Sequence, residues 1–344
     1  MDTISGFWAG AQDLADKIDL DDIVERAGGW RPLMDARTDD LVTLGVPLEH
    51  ARRWRETPPR LTLGRALTRV HPDYPDRLAR RPKAPPVLYV EGDAEALADR
   101  CIGVVGTRRC TPYGSAVARH LGSAFGRAGW TVVSGLARGI DTHAHRGALE
   151  RGRTVAVLGH GLDTTSPASN PRLRREIVST GGAMVTAFSD AHAPARWTFP
   201  DRNRWIVGLS ELLVVVEAPV RSGALISAEH ALEIGVPVFV VPGHLGVAAC
   251  RGSNELIESG AAPITDVERF VTDWTGRLPL DAPLPDWLQQ VMAGHTVDEV
   301  AIQHGRSTLD LIAELTELEL QGVVVRMPGG RYASTGLDLG DDRG

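Results

Sequence analysis

The 344-residue chain is 43% hydrophobic and 24% charged, with a formal net charge of -7, an ordinary globular composition with room for two or three domains. No stretch approaches the roughly 20 apolar residues of a membrane span, and Met1-Asp2-Thr3 opens neither a basic nor an apolar leader, so a cytoplasmic protein is expected. Cys101, Cys110 and Cys250 are odd in number and lack CxxC spacing, which implies neither a disulfide framework nor a zinc site and reads as three packed thiols, with no metal or cofactor expected.

Residues 1–60 read as a small helical domain of helix-hairpin or sterile-alpha-motif type. Ile23, Val24 and Ala27, then Leu41, Leu44 and Val46 around Gly45, give short helices joined by glycine turns. Asp16, Asp19, Asp21 and Asp22 make its surface acidic, which turns it away from phosphate. Residues 61–100 form a proline-rich connector laid against the next domain, with Val87 to Val90 as a short edge strand.

Residues 101–270 read as an α/β domain. Six apolar runs, Cys101 to Gly106, Thr131 to Gly135, Thr154 to Gly159, Ala183 to Ala187, Leu212 to Glu217 and Val238 to Val241, start 23 to 30 residues apart, each followed by a turn and a helical pattern. That spacing predicts a mostly parallel, doubly wound sheet with helices on both faces. Ligands of such sheets bind beyond the carboxyl ends of the strands. Charge points the same way: residues 101–210 hold fourteen arginines, no lysine and six acids. Arginine suits bidentate phosphate contacts, although an arginine-rich composition alone would give the same count.

The first strand runs into Gly106-Thr107-Arg108-Arg109, with Thr111 as N-cap and Pro112 at the first helical position. The turn is either an anion site at a helix N-terminus or a plain tight connection, since it lacks GxGxxG and the P-loop pattern. Beyond the second strand, Ser134 and Gly135 lead through Arg138 and Gly139 to Asp141, expected as a helix cap. Asp141 and His145, four apart, are either an acid/base pair or a cap bonded to a packed histidine. Beyond the fourth strand, Arg196, Arg202, Asn203 and Arg204 interleave with Trp197 and Phe199, the mixture a single strand asks for, with guanidiniums on phosphates and rings for bases. Ser222-Gly223 and Gly252-Ser253-Asn254 each open a helix, and these turns together outline one elongated anion-binding face.

In these segments, from Pro72 through Val105 to Arg108, Ser134 to Asp141, Val157 to Asp163, Phe199 to Arg204, Glu217 to Gly223, Pro242-Gly243 and Gly252 to Asn254, the sequence resembles the DNA-processing protein A family (DprA, also called Smf). The resemblance covers most of residues 70–265. It implies an extended Rossmann-like domain that binds single-stranded DNA, protects incoming DNA and loads the RecA recombinase onto it during natural transformation and homologous recombination. It also implies a homodimer without enzymatic activity. By position, Arg108 and Arg196 match the family's principal basic contacts, with Arg202, Asn203 and Arg204 alongside.

Residues 271–285 read as a linker, 286–336 as a winged helix and 337–344 as a flexible tail. Thr296 with Glu299 and Ser307 with Asp310 have capping-box spacing, and a hairpin follows around Pro328-Gly329-Gly330. The second helix carries Asp310, Glu314, Glu317 and Glu319, which repel phosphate, so a protein-interaction or regulatory role is expected rather than duplex reading. Two other functions share the fold. One is nucleotide cleavage like that of phosphoribohydrolases, with Glu229 as the acid; the other is sensing of a small nucleotide.

Overall fold

The computed structural model describes residues 11, 18–56, 64–164, 170–188, 192–276, 285–320, 324–327 and 331–334, and the chain divides into two units, 1–265 and 266–344. The first begins with short helices α1 (Leu20–Arg26), α2 (Trp30–Asp35), α3 (Thr38–Thr43) and α4 (Leu48–Glu56). Leu20, Ile23, Leu33, Leu41 and Trp54 share one hydrophobic cluster with Val87, Tyr89, Ala156 and Met184 of the sheet. The helices therefore lie on the sheet rather than apart from it. Part of their acidic surface is an anchor: Asp21 accepts from Arg69 Nη1 at 2.8 Å and from the Lys83 N–H at 3.1 Å.

The connector is folded into β1 (Arg65–Thr68), α5 (Asp76–Ala79) and β2 (Val87–Gly92). Contrary to expectation β2 is not an edge strand, because it pairs antiparallel with both β1 and β6 (Ala183–Thr186). The edge falls to β1, four residues of which only Leu67 is buried, too short a pattern to announce itself.

Between them run the units expected from the apolar runs. β3 (Cys101–Val105) leads to α6 (Pro112–Arg127), β4 (Thr131–Ser134) to α7 (Ile140–Ala148), and β5 (Thr154–Val157) to α8 (Pro171–Ser179). After β6 come α9 (Thr198–Leu209), β7 (Leu212–Val215), α10 (Gly223–Glu233), β8 (Val238–Val240), α11 (Arg251–Glu258) and β9 (Ala262–Pro263). Among the described residues the sheet has nine strands in the order β1-β2-β6-β5-β4-β3-β7-β8-β9, and β6 through β9 run parallel. α8 packs with the N-terminal helices on one face, while Trp205, Ile206 and Ala228 of α9 and α10 pack on the other. The winding reverses between β3 and β7, and in an open α/β sheet such a switch point leaves a crevice at the carboxyl edge.

α6 and α7 touch backbone to backbone. A Cβ on Gly122 would lie 2.2 Å from the carbonyl oxygen of Ala144, and one on Gly147 would lie 1.9 Å from that of Arg119.

The second unit starts with α12 (Val267–Thr275), closed by Gly276 in the left-handed region, so residues 271–275 are helical and not linker. Residues 277–284 lie outside the described residues, as do Val323, the turn Pro328-Gly329-Gly330 and the tail 337–344. α13 (Asp286–Met292), α14 (Val297–Gln303), α15 (Thr308–Leu320), β10 (Val324–Arg326) and β11 (Tyr332–Ser334) form the winged helix around Leu288, Val300, Leu311 and Leu315. The Thr296–Glu299 capping box is present. On α15, Asp310 and Glu319 are exposed, and Glu314 accepts from Arg306 at 3.1 and 2.5 Å.

Candidate functional site

The crevice at the β3/β7 switch point is a cleft of about 350 Å³. Gly106, Thr107 and Arg108 enter it from the end of β3, Arg202 and Asn203 from α9, and Ser222 and Gly223 from the start of α10. Seven of the residues singled out from sequence thus meet in one place. Thr107 ties the two sides together, its N–H donating to the Glu217 carbonyl at 2.7 Å. The exposed Arg108 guanidinium stands 5.3 Å from the centre of the Phe199 ring, a cation–π contact that holds the arginine over the cleft.

The N-terminus of α6 is not open to a ligand. Thr111 caps it and Pro112 occupies the first position, as expected, but the side chain of Glu217 fills the place of an anion. One carboxylate oxygen accepts from the Thr111 N–H at 2.8 Å and the other from its hydroxyl at 2.5 Å, and the Cys250 thiol donates to the latter at 3.7 Å. Glu217 is fully buried, and Gly114 is required beside it, because a Cβ there would lie 2.3 Å from its carboxyl carbon. The positive helix end is spent on an internal carboxylate. The positive character of the cleft therefore comes from the arginines and from the start of α10, where Ser222 accepts from the Ala224 N–H. Replacing Glu217 by alanine is expected to cost about 1.5–3 kcal/mol, since it strips charge-assisted hydrogen bonds from buried donors; urea unfolding of the variant checks this.

Arg202 forms the floor of the cleft. It is 5% exposed, Nη1 donates to the Val157 carbonyl at 3.1 Å, and its buried Nε–H has no hydrogen-bond partner. Its guanidinium fills the space a side chain at Gly135 would occupy. Burial lowers its pKa, against the opposing pull of Asp141. Arg202, expected from the sequence alongside the other arginines, is an interior charge under the cleft.

Asp141 and His145 act on the loop after β4. The cap of α7 is Gly139, not Asp141. The Asp141 carboxylate turns back to accept the N–H groups of Gly135 at 3.1 Å and Ala137 at 3.3 Å. Burial raises its pKa, while Arg202 and these two donors pull it down. His145 is fully buried. The Thr154 hydroxyl donates to the Val132 carbonyl, so toward His145 its oxygen only accepts; the histidine proton is therefore on Nδ1, 2.6 Å away. Nε2 accepts the N–H of Leu136 at 3.3 Å, a residue whose φ of 55° is uncommon outside glycine. Desolvation pushes the imidazole pKa down to about 3, so the ring is neutral and positions the loop.

The remaining candidates fall elsewhere. Ser134 is fully buried, its hydroxyl donating to the Val104 carbonyl at 2.6 Å. Asn254 is committed to Gly243, accepting from its N–H at 3.0 Å and donating to its carbonyl at 3.1 Å. Arg138 and Arg196 are exposed outside the cleft lining. Arg204 is exposed and donates to His230 Nε2 at 3.4 Å. Glu229 is exposed on α10 and does not line the cleft. Among the described residues no cluster of His, Cys, Asp or Glu has the makings of a metal site, and no helix is long and apolar enough to cross a membrane.

The family model described as DNA recombination-mediator protein A matches residues 65–275, the whole of the sheet and its cleft. The chain belongs to this family. Residues 293–330 match the family's winged helix domain. Protein Smf of Escherichia coli is 38% identical over 276 residues, which are 75% of this chain and 74% of that protein. The family member DNA processing protein A of Streptococcus pneumoniae superimposes with a TM-score of 0.69 at 26% identity, over 79% of this chain and 98% of that one. The Helicobacter pylori member, whose structure is described for its single-stranded DNA binding mode, superimposes with a TM-score of 0.53 at 29% identity, over 58% of this chain and 92% of that one.

Proposed function

We propose that this chain binds single-stranded DNA in the β3/β7 cleft and, as a cytoplasmic homodimer without catalytic activity, protects incoming DNA and loads RecA recombinase onto it in natural transformation and homologous recombination. The observation that carries the reading is Arg202, a buried guanidinium with an unspent Nε–H beneath a cleft that also holds Arg108. A phosphate in the cleft brings its charge over this guanidinium and beside that of Arg108. The Helicobacter pylori relative's single-stranded DNA binding supports the choice of ligand. Gly106, Thr107, Arg108, Asn203, Ser222 and Gly223 line the path, and Gly135 leaves the room that the Arg202 guanidinium fills. Arg138, Arg196 and Arg204 are proposed to meet phosphates further along the strand. The acidic α15 suits a protein partner better than duplex DNA.

The test is fluorescence anisotropy of a labelled single-stranded oligonucleotide, with and without unlabelled duplex. Binding should survive duplex competition, and log K should fall with log salt at about -0.7 per neutralised phosphate. Arg108→Ala is expected to weaken affinity by about 1–3 kcal/mol. Equal affinity for wild type and variant would show that the strand lies elsewhere.

A further inference from the structure

Among the described residues, Trp197 (50% exposed) and Tyr113 (40% exposed) are the exposed side chains of the Trp, Tyr and Phe class. Both sit on the carboxyl edge of the sheet, one on either side of the cleft. Resting on the single-strand reading above, we infer that they are stacking stations for unpaired nucleobases, placed at the two ends of the phosphate-binding cleft.

Each ring is held in place. Trp197 stands edge-on to Phe188 (5.7 Å, 77°) and to His192 (5.5 Å, 78°), which are themselves stacked at 4.7 Å, and the buried Phe188 is fixed in turn by Trp205 at 5.1 Å. This cluster lies over the ends of β5 and β6, since Thr198, next to Trp197, donates its hydroxyl to the Gly159 carbonyl at 2.6 Å. At the other end, the Tyr113 hydroxyl donates to the Pro242 carbonyl just past β8, at 3.2 Å, and its ring meets His244 edge-on at 5.5 Å. A large ring held rigid yet left half in water is poorly placed for folding and well placed for a flat apolar ligand, because its ordering has already been completed.

The spacing matches a strand. From β6 to β8 the order β6-β5-β4-β3-β7-β8 contains five strand-to-strand steps of about 4.8 Å, roughly 24 Å in all. A fully stacked strand at ~3.4 Å per nucleotide places about seven nucleotides in that length, and an extended one fewer. In a duplex the base faces are covered by neighbouring pairs, so the stations accept a single strand and reject a double one.

The test uses the full chain and two oligonucleotides of equal length, one of thymidines and one of abasic sites with the same phosphates, titrated by anisotropy at one salt concentration. Wild type should bind the thymidine strand at least fivefold more tightly. Trp197→Ala should lose most of that preference while its affinity for the abasic strand is retained, and Trp197→Phe should restore part of it; Tyr113→Ala should act in the same direction. Equal wild-type affinity for the two strands, or an unchanged preference in Trp197→Ala and Tyr113→Ala, overturns the stations while leaving the phosphate cleft standing. Wild type that binds neither strand overturns both.

Discussion

Replacing Arg202 by methionine is expected to cost about 3–5 kcal/mol of stability and to abolish measurable single-strand affinity. The side chain is interior, braced on the Val157 carbonyl and set under Gly135. Its charge is the main influence holding down the pKa of the fully buried Asp141, whose burial works the other way. Removing one member of such a buried pair leaves the other without a countercharge, which is the costly case. Without Arg202 the Asp141 carboxyl loses the main influence that opposes its burial, and its pKa rises further. The double variant Arg202→Met, Asp141→Asn should therefore be less destabilised than the sum of the two single variants, because the uncompensated carboxylate is gone. Urea unfolding followed by circular dichroism reads the stability and anisotropy reads the binding. Additive single effects would show that the two side chains do not depend on one another.

His145 makes the second large prediction, a loss of stability on acidification. Its folded pKa, about 3, lies below the value of about 6.5 in an unfolded chain. The unfolded state therefore binds the proton first. The full contribution of the neutral ring is present above about pH 6.5 and is lost as pH falls from there toward 3, at up to about 1.4 kcal/mol per pH unit. By pH 3 this amounts to about 4–5 kcal/mol. The cause is local: a proton on Nε2 would face the Leu136 N–H it now accepts. The difference in unfolding free energy between wild type and His145→Gln, measured from pH 8 to pH 4, isolates the term from the carboxylates. A difference that does not change with pH would mean the ring titrates alike in the folded and the unfolded chain.

The sheet was legible because its signal is local. Runs such as Ile102 to Val105 and Leu212 to Val215 are apolar throughout, as burial on both faces demands, and Thr111-Pro112 marks the start of α6 in two residues. β1 and β9 were missed because four and two residues carry no period. The cleft was half legible. Gly106 to Arg108 and Ser222-Gly223 stand at strand ends, where a ligand is expected, but Arg202 looks from the sequence like its neighbour Arg204, which is exposed. Only the packing of α9 over β4 and β5 separates them. Glu217 was the least legible, since its acceptance of Thr111 joins residues 106 positions apart. A faint signal was present in Gly114, a glycine in the first turn of a helix, where a close neighbour is its usual reason.

The contact of α6 with α7 has a bearing on how quickly a strand is captured. Both helices follow directly from turns at the carboxyl edge, the one after β3 and the one after β4. With backbones pressed together at Gly122 and Gly147, neither helix shifts without the other, so the two turns are carried as one body. Neither of these two turns has to be ordered when a ligand arrives, and little conformational entropy is surrendered there at that moment. Encounter then becomes a matter of diffusion and charge, with an association rate that is high at low salt and falls as salt screens the arginines.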